Sequence, residues 1–367
     1  MYRSRLILFL SIGLSIFLCL PILNLALRVG LDVHPVIPEE PKQLWSLDLV
    51  EGGASLALWR CCERSTRPGK VIIGKSGYLF LGNKHEYVVD KTTGLYTISE
   101  TAAEAWSTSL AQIASLVETS GASFVFSVAP NKHTIYPEFL PDGEIAAKET
   151  ITDRLFSTAN IQNITAIDLR TPLKKVKSEK PLYLQTDSHW NRAGAALAYT
   201  ETMNALAADG LELTQIPFQL REIRHEAGGL SKLLKLGNLL SPEHETEFTF
   251  DYEASALCES RIDLISGIAS ACDPQKNAMM DVPRGNAFFR MTRAENAPNA
   301  QTVLMLCDSF CTAHSELFNA SFKTVYRVHW SQVLGALMAE TMERFKPDIV
   351  IYQTVERVVF LHDLSLN

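Results

Sequence analysis

Val303-Leu304-Met305-Leu306-Cys307-Asp308-Ser309-Phe310 decides the reading of the fold. The apolar run predicts a strand over Val303–Leu306, and the pattern after it predicts a helix over Ala313–Phe318. Ser309 therefore stands on a sharp strand-to-helix turn, a place where a nucleophile is held clear of a sheet. A serine hydroxyl is a poor nucleophile alone. It needs a base within hydrogen-bond reach, and the base needs a third group to fix its tautomer. Asp187-Ser188-His189 offers that pair. In an extended segment residues two apart project to the same side, so Asp187 would hold one ring nitrogen while the other faces Ser309.

Working outward, strands and helices alternate. Strands are predicted over Ser123–Val128, Ile164–Leu169, Thr324–Val328 and Asp348–Tyr352. Helices are predicted over Ser99–Glu118, Glu149–Ala159, Arg192–Ala208 and Gln332–Phe345. Strands separated by helices of this length imply right-handed crossovers and an α/β fold built on a doubly wound parallel sheet with helices on both faces. Ligands collect beyond the carboxyl ends of such strands, where Ser309 and Pro130-Asn131-Lys132 both fall. Val71–Ile73 and Tyr78–Leu81 read as a hairpin around Lys75-Ser76-Gly77. Residues 211–299 break the alternation and read as an insertion forming a wall of the substrate groove.

Leu6 to Leu27 is almost entirely apolar and long enough to span a bilayer, with Arg3 and Arg5 before it. The positive-inside rule then puts the N-terminus in the cytoplasm and the body outside it. A cleaved signal peptide is the rival reading, but the apolar run is long for one and no Ala-x-Ala-like site ends it. The expected organisation is an N-terminal transmembrane helix over 1–30, a Pro-rich and charged tether within 31–69, and one catalytic domain over 70–367. Setting aside Arg3, Arg5 and Arg28 leaves 31 basic against 41 acidic residues, a net charge of about −10 that argues against nucleic acid as a partner. Seven cysteines suit an oxidising compartment; Cys19 is expected free, and a bridge from Cys61 or Cys62 to Cys258 or Cys272 is expected. No spacing suggests zinc and no Gly-rich loop a nucleotide, so no metal or organic cofactor is expected.

Five motifs carry a resemblance. Gly74-Lys75-Ser76-Gly77-Tyr78-Leu79-Phe80, Pro130-Asn131-Lys132 with Tyr136-Pro137-Glu138, Thr186-Asp187-Ser188-His189-Trp190, Asp308-Ser309-Phe310 and Glu356-Arg357 occur in this order. Together they resemble the AlgJ/AlgX family, the SGNH-hydrolase-like group of bacterial polysaccharide O-acetyltransferases. Where related chains usually read Gly-Asp-Ser, this one has Cys307-Asp308-Ser309. The resemblance implies that Ser309 accepts the acyl group, His189 is its base and Asp187 the orienting acid. It also implies a polysaccharide substrate, an inner-membrane anchor with the catalytic domain in the periplasm, and a multipass membrane-bound O-acyltransferase as the acetyl-donating partner. Asn131, Lys132, Tyr136, Trp190 and Arg357 are candidates for the substrate groove, Trp190 by stacking and the cations by binding acidic sugars.

Alternatives stand beside this reading. His314, His133 and His329 compete as the base, and Cys307 and Cys311 invite a thiol nucleophile. Asp308 is expected to cap a helix or fix the turn. The same three residues would also serve a polysaccharide esterase, and a third reading is a non-catalytic polysaccharide-binding scaffold of an export complex.

Overall fold

A computed structural model describes residues 2–237, 239–241, 243–253, 257–264, 266–275, 288–335 and 337–366. An eight-stranded sheet carries the body. Its strands are β3 (Ser123–Ala129), β4 (Ala166–Asp168), β7 (Leu257–Asp263), β8 (Asp273–Gln275), β9 (Phe288–Ala294), β10 (Asn299–Cys307), β11 (Phe322–His329) and β12 (Ile349–Val355). The spatial order is β4-β3-β12-β10-β11-β9-β7-β8. Two small hairpins flank it: β1 (Val71–Ile73) with β2 (Leu79–Leu81), and β5 (Gln219–His225) with β6 (Glu245–Asp251).

The strands β4, β3, β12, β10 and β11 are parallel, as the alternation of elements predicts. Their residues alternate between two packed faces. Leu304 and Leu306 of β10 join Phe124, Phe126, Val350 and Tyr352 on one side, while Val303, Met305 and Cys307 join Val125, Ile349 and Ile351 on the other. Burial on both faces is what a continuous apolar run encodes. The helices Glu100–Thr119 and Met338–Phe345 cover the first face, and Arg192–Ala208 and Ser315–Ser321 cover the second.

The all-parallel reading stops at β11. Within the 211–299 insertion, β7, β8 and β9 extend the sheet antiparallel, β9 pairing with β11 and β7 with β9. The insertion is thus a sheet edge and a hairpin rather than only an irregular wall. The predicted helix over Gln332–Phe345 begins only at Met338, because Gly335 stands at φ +94° and breaks it.

The N-terminal helix Tyr2–Gly30 includes a span, Ser4–Gly30, long and apolar enough to cross a membrane. Leu6, Ile7, Leu8, Phe9 and Leu10 are each more than half exposed, so the body does not cover them. The segment after it is more ordered than a tether. Buried Asn24 donates to the carbonyls of Leu44 (2.6 Å) and Ser46 (2.9 Å), folding the chain back on the helix, and a second helix runs over Asp48–Cys62.

The expected long-range disulfide is replaced by local ones. Cys258 of β7 pairs with Cys272, 14 residues on and just before β8, with Cα atoms 5.5 Å apart; Cys61 pairs with Cys62 and Cys307 with Cys311. The antiparallel pairing of β7 with β8 brings the first pair within bridging distance. Cys19 is free and exposed, as expected.

Candidate active site

The carboxyl ends of β3, β12 and β10 lie side by side. Just past them come Asn131, Glu356-Arg357 and Asp308-Ser309. Cys307 ends β10 fully buried and without positive φ, so a glycine is not needed there. Asp308 then fixes the turn: Oδ1 accepts the Phe310 N–H at 2.9 Å and Oδ2 accepts the Val355 N–H of the adjacent strand at 2.7 Å. The expected α-helix after Ser309 starts as a 3-10 turn, Ser309–His314, and becomes α-helical over Ser315–Ser321. Ser309 is only partly buried, so its hydroxyl stays accessible.

His189 Nε2 lies 2.9 Å from Ser309 Oγ, and His189 Nδ1 lies 2.6 Å from Asp187 Oδ1. The route to this geometry differs from the extended segment predicted. Residues 185–188 form a loop tip, closed at its base where Tyr183 bridges Trp190. Asp187 Oδ1 also accepts the His189 N–H at 3.1 Å, a local Asx-type turn that brings the ring back to the carboxylate. Trp190 locks the loop to the serine turn by donating its indole N–H to the Phe310 carbonyl at 2.8 Å.

Burial would raise the Asp187 carboxyl. The hydrogen bonds and charge of His189, with the Gly229 and His189 N–H groups, outweigh it and hold the group well below the usual carboxylate range. An ionised Asp187 can only accept, so the shared proton sits on His189 Nδ1 and the Nε2 lone pair faces Ser309. The His189 side chain is 34% exposed, enough for a reactant to reach it.

The competing histidines have other roles. His133 is buried with Nε2 on the Leu81 carbonyl at 3.0 Å, and burial pushes it down to about 3. His314 is buried against Gln353 Oε1 at 3.0 Å, and burial lowers it to about 4. His329 accepts the Ser331 N–H. Cys307 and Cys311 are disulfide-paired, which removes the thiol alternative.

All five groove candidates are buried, between 1% and 7% exposed, which corrects their reading as an open groove. Trp190 is 1% exposed and bonded as above, so it cannot stack on a sugar. Tyr136 accepts the Leu182 N–H at 3.0 Å from within the core. Lys132 is fully buried, and its ammonium is spent on protein carbonyls. Asn131 and Arg357 meet beside the serine turn: Arg357 Nη1 donates to Asn131 Oδ1 at 3.4 Å, its Nε to Glu86 Oε2 at 3.2 Å, and its guanidinium lies 5.8 Å from the Phe310 ring centre.

Residues without a role in the sequence reading complete the site. Gly229 N–H donates to Asp187 Oδ2, and Gly228 N–H donates to Thr186 Oγ1 at 2.6 Å. A Cβ on Gly228 would stand 2.5 Å from Asp187 Cβ and 2.9 Å from its Oδ2. The consecutive glycines are the sequence signal of such a close backbone approach. Gly228→Ala is therefore expected to displace Asp187 and lower kcat roughly 100-fold, since a misplacement of about 1 Å can cost that much. Steady-state kinetics beside a thermal melt check this, and unchanged kcat in a folded variant would contradict it.

Comparison with known proteins agrees with the architecture. The model of the SGNH hydrolase-like domain of acetyltransferase AlgX matches residues 71–263, more than half of the chain. That region holds Asp187 and His189 but ends before Ser309. A probable alginate O-acetylase AlgJ of Pseudomonas syringae pv. tomato is 27% identical over 180 residues, 48% of this chain and 44% of the relative. Its counterpart in Pseudomonas putida is 26% identical over 149 residues, 40% and 36% of the two chains. The matches thus span less than half the length of these relatives. Among solved structures, the O-acetyltransferase domain of Pseudomonas putida AlgJ superposes with a TM-score of 0.51 at 17% identity, over 80% of this chain and 93% of that one. Bacillus cereus PatB1 does so with a TM-score of 0.55 at 15% identity, over 79% and 96%. These two likenesses speak for the fold. With a family match over more than half of its length, set on an SGNH-hydrolase-like sheet, the chain belongs to the AlgX family of SGNH hydrolase-like domains.

Proposed function

We propose that the protein is an extracytoplasmic O-acetyltransferase that places acetyl groups on hydroxyls of an exopolysaccharide, with an alginate-type acidic polymer as the first substrate to test. The observation that carries this reading is the hydrogen-bonded line Asp187–His189–Ser309 at the carboxyl edge of the sheet. The names of the AlgJ relatives support the acetyl chemistry and the polymer class. Ser309 Oγ attacks the acetyl carbonyl as its proton passes to His189 Nε2; the donor's leaving oxygen then takes that proton, and an acetyl-Ser309 remains. A sugar hydroxyl next gives its proton to Nε2 and attacks the ester, and Ser309 Oγ recovers the proton on departure. The Ser309 backbone N–H is the oxyanion donor in this scheme, because the Phe310 and Cys311 N–H groups already serve Asp308, and one such donor is worth about 3 kcal/mol in comparable sites. Asn131 and Arg357, buried beside the serine turn, are assigned to holding that turn rather than to touching sugar.

The apolar helix is assigned as an uncleaved inner-membrane anchor, with the N-terminus cytoplasmic and the domain periplasmic. A multipass membrane-bound O-acyltransferase is the proposed source of acetyl groups. Full-length protein is expected to stay with membranes after alkaline washing; a shortened, freely soluble form would sink the anchor. The reaction is tested by incubating the protein with an activated acetyl ester and acidic oligosaccharides, with mass spectrometry of sugar and protein. Acetylated sugar and a Ser309-linked acetyl group are expected. Release of free acetate alone, with no sugar product, would replace the transferase by an esterase.

A further inference from the structure

The loop that bears Asp187 is held between two buried side chains of opposite charge. Lys132, in the turn after β3, is 2% exposed, and its Nζ donates to the carbonyls of Leu184 (2.9 Å), Gln185 (3.0 Å) and Asp187. Glu245, the first residue of β6, is 3% exposed and accepts both the N–H and the hydroxyl of Thr186 at 2.8 Å. Three carbonyls match the three N–H bonds of an ammonium, whereas a neutral amine has only two N–H bonds to offer. The peptide groups from Leu184 to Asp187 are thus gripped from both sides, one residue before the carboxylate that orients His189. Stability alone is a weak reason for such a pair, because well-packed apolar residues often serve a buried position as well or better.

We propose that Lys132 and Glu245 are a positioning pair: together they set where Asp187 and His189 stand against Ser309, and their opposite charges act on that site in opposite senses. The inference rests on His189 acting as the base, as proposed above. The charged and titratable groups around Lys132 are Asp187, Glu245 and the neighbouring His133, with the rings of Tyr78 and Phe80 at 5.8 and 5.3 Å. Burial lowers the amine to about 7 against the pull of Asp187 and Glu245, so the ammonium is complete on the acid side of neutrality. That is the range in which an imidazole base loses activity by protonation.

The test is the acid limb of kcat/KM on an activated acetyl ester, measured with full-length wild type, Lys132→Met and Glu245→Gln. Removing the positive charge should move the limb to higher pH by about half to one unit, and kcat should fall about 10- to 100-fold as the loop loosens. Removing the negative charge should move the limb to lower pH by a similar amount, since glutamine keeps the shape of the side chain. Limbs that stay in place, or move in the same direction, overturn the proposal. If Lys132→Met fails to fold, the sign of the Glu245→Gln shift decides alone: a downward move supports the pair and any other result rejects it. Failure of the parent reading is separately visible, as Ser309→Ala protein that still turns over the ester.

Discussion

Ser309→Ala and His189→Ala are each expected to lower turnover of a simple acetyl ester by at least about 1,000-fold, while the fold and polymer binding survive. Without the hydroxyl there is no atom to carry the acetyl group, and without the imidazole the Ser309 proton has no acceptor at 2.9 Å. The two losses should not add. Each residue works only through the other, so the double variant should resemble either single one. The fold should tolerate both changes, because the partly exposed Ser309 and His189 side chains leave the structural bonds of the turn to Asp308 and Trp190. Folded Ser309→Ala protein with near wild-type turnover would end the assignment.

The parts of this site legible from sequence are those with a periodic or local signature. The run ending at Cys307 identifies β10, and the helix Arg192–Ala208 is bounded as predicted because Asn191 caps its start, accepting the Ala193 and Gly194 N–H groups. The Asp187–His189 spacing is equally local, although an Asx-type turn rather than an extended strand brings the two side chains together. What was not legible depends on contacts made across long sequence distances. Lys132 reads as a groove cation on a polar loop, yet its carbonyl partners lie more than 50 residues away. Glu245 gives no signal at all, being one acid among several in an irregular stretch. Cysteine connectivity is hidden for the same reason: the pairing of Cys258 with Cys272 follows from the antiparallel extension β7–β8, which the alternation of strands and helices does not encode.

Asp187→Asn should be nearly as damaging as loss of the serine, with a fall in kcat of about 1,000- to 10,000-fold. The geometry explains why a nearly isosteric change is so severe. Oδ1 accepts from both the His189 ring and the His189 N–H, and Oδ2 accepts from the Gly229 N–H, so all the bonds described at this carboxylate are donated to it. An amide has one accepting oxygen. If that oxygen faces Gly229, the NH₂ group meets His189, forces Nδ1 to accept and moves the ring proton to Nε2, where Ser309 can no longer be deprotonated. If it faces His189, the NH₂ group opposes the Gly229 N–H and two donors collide. Neither amide orientation stabilises the imidazolium formed during acyl transfer. The same carboxylate ties stability to pH. Its folded value is depressed, so its contribution is complete above the unfolded carboxyl value of about 4 and is lost as pH falls through that value toward the folded one. Wild type should therefore lose stability in acid more steeply than Asp187→Asn. Thermal melts from pH 6 down to pH 3, read beside kcat at neutral pH, check both halves: parallel stability curves or a loss in kcat below about tenfold would show that Asp187 does not hold His189 in its working state.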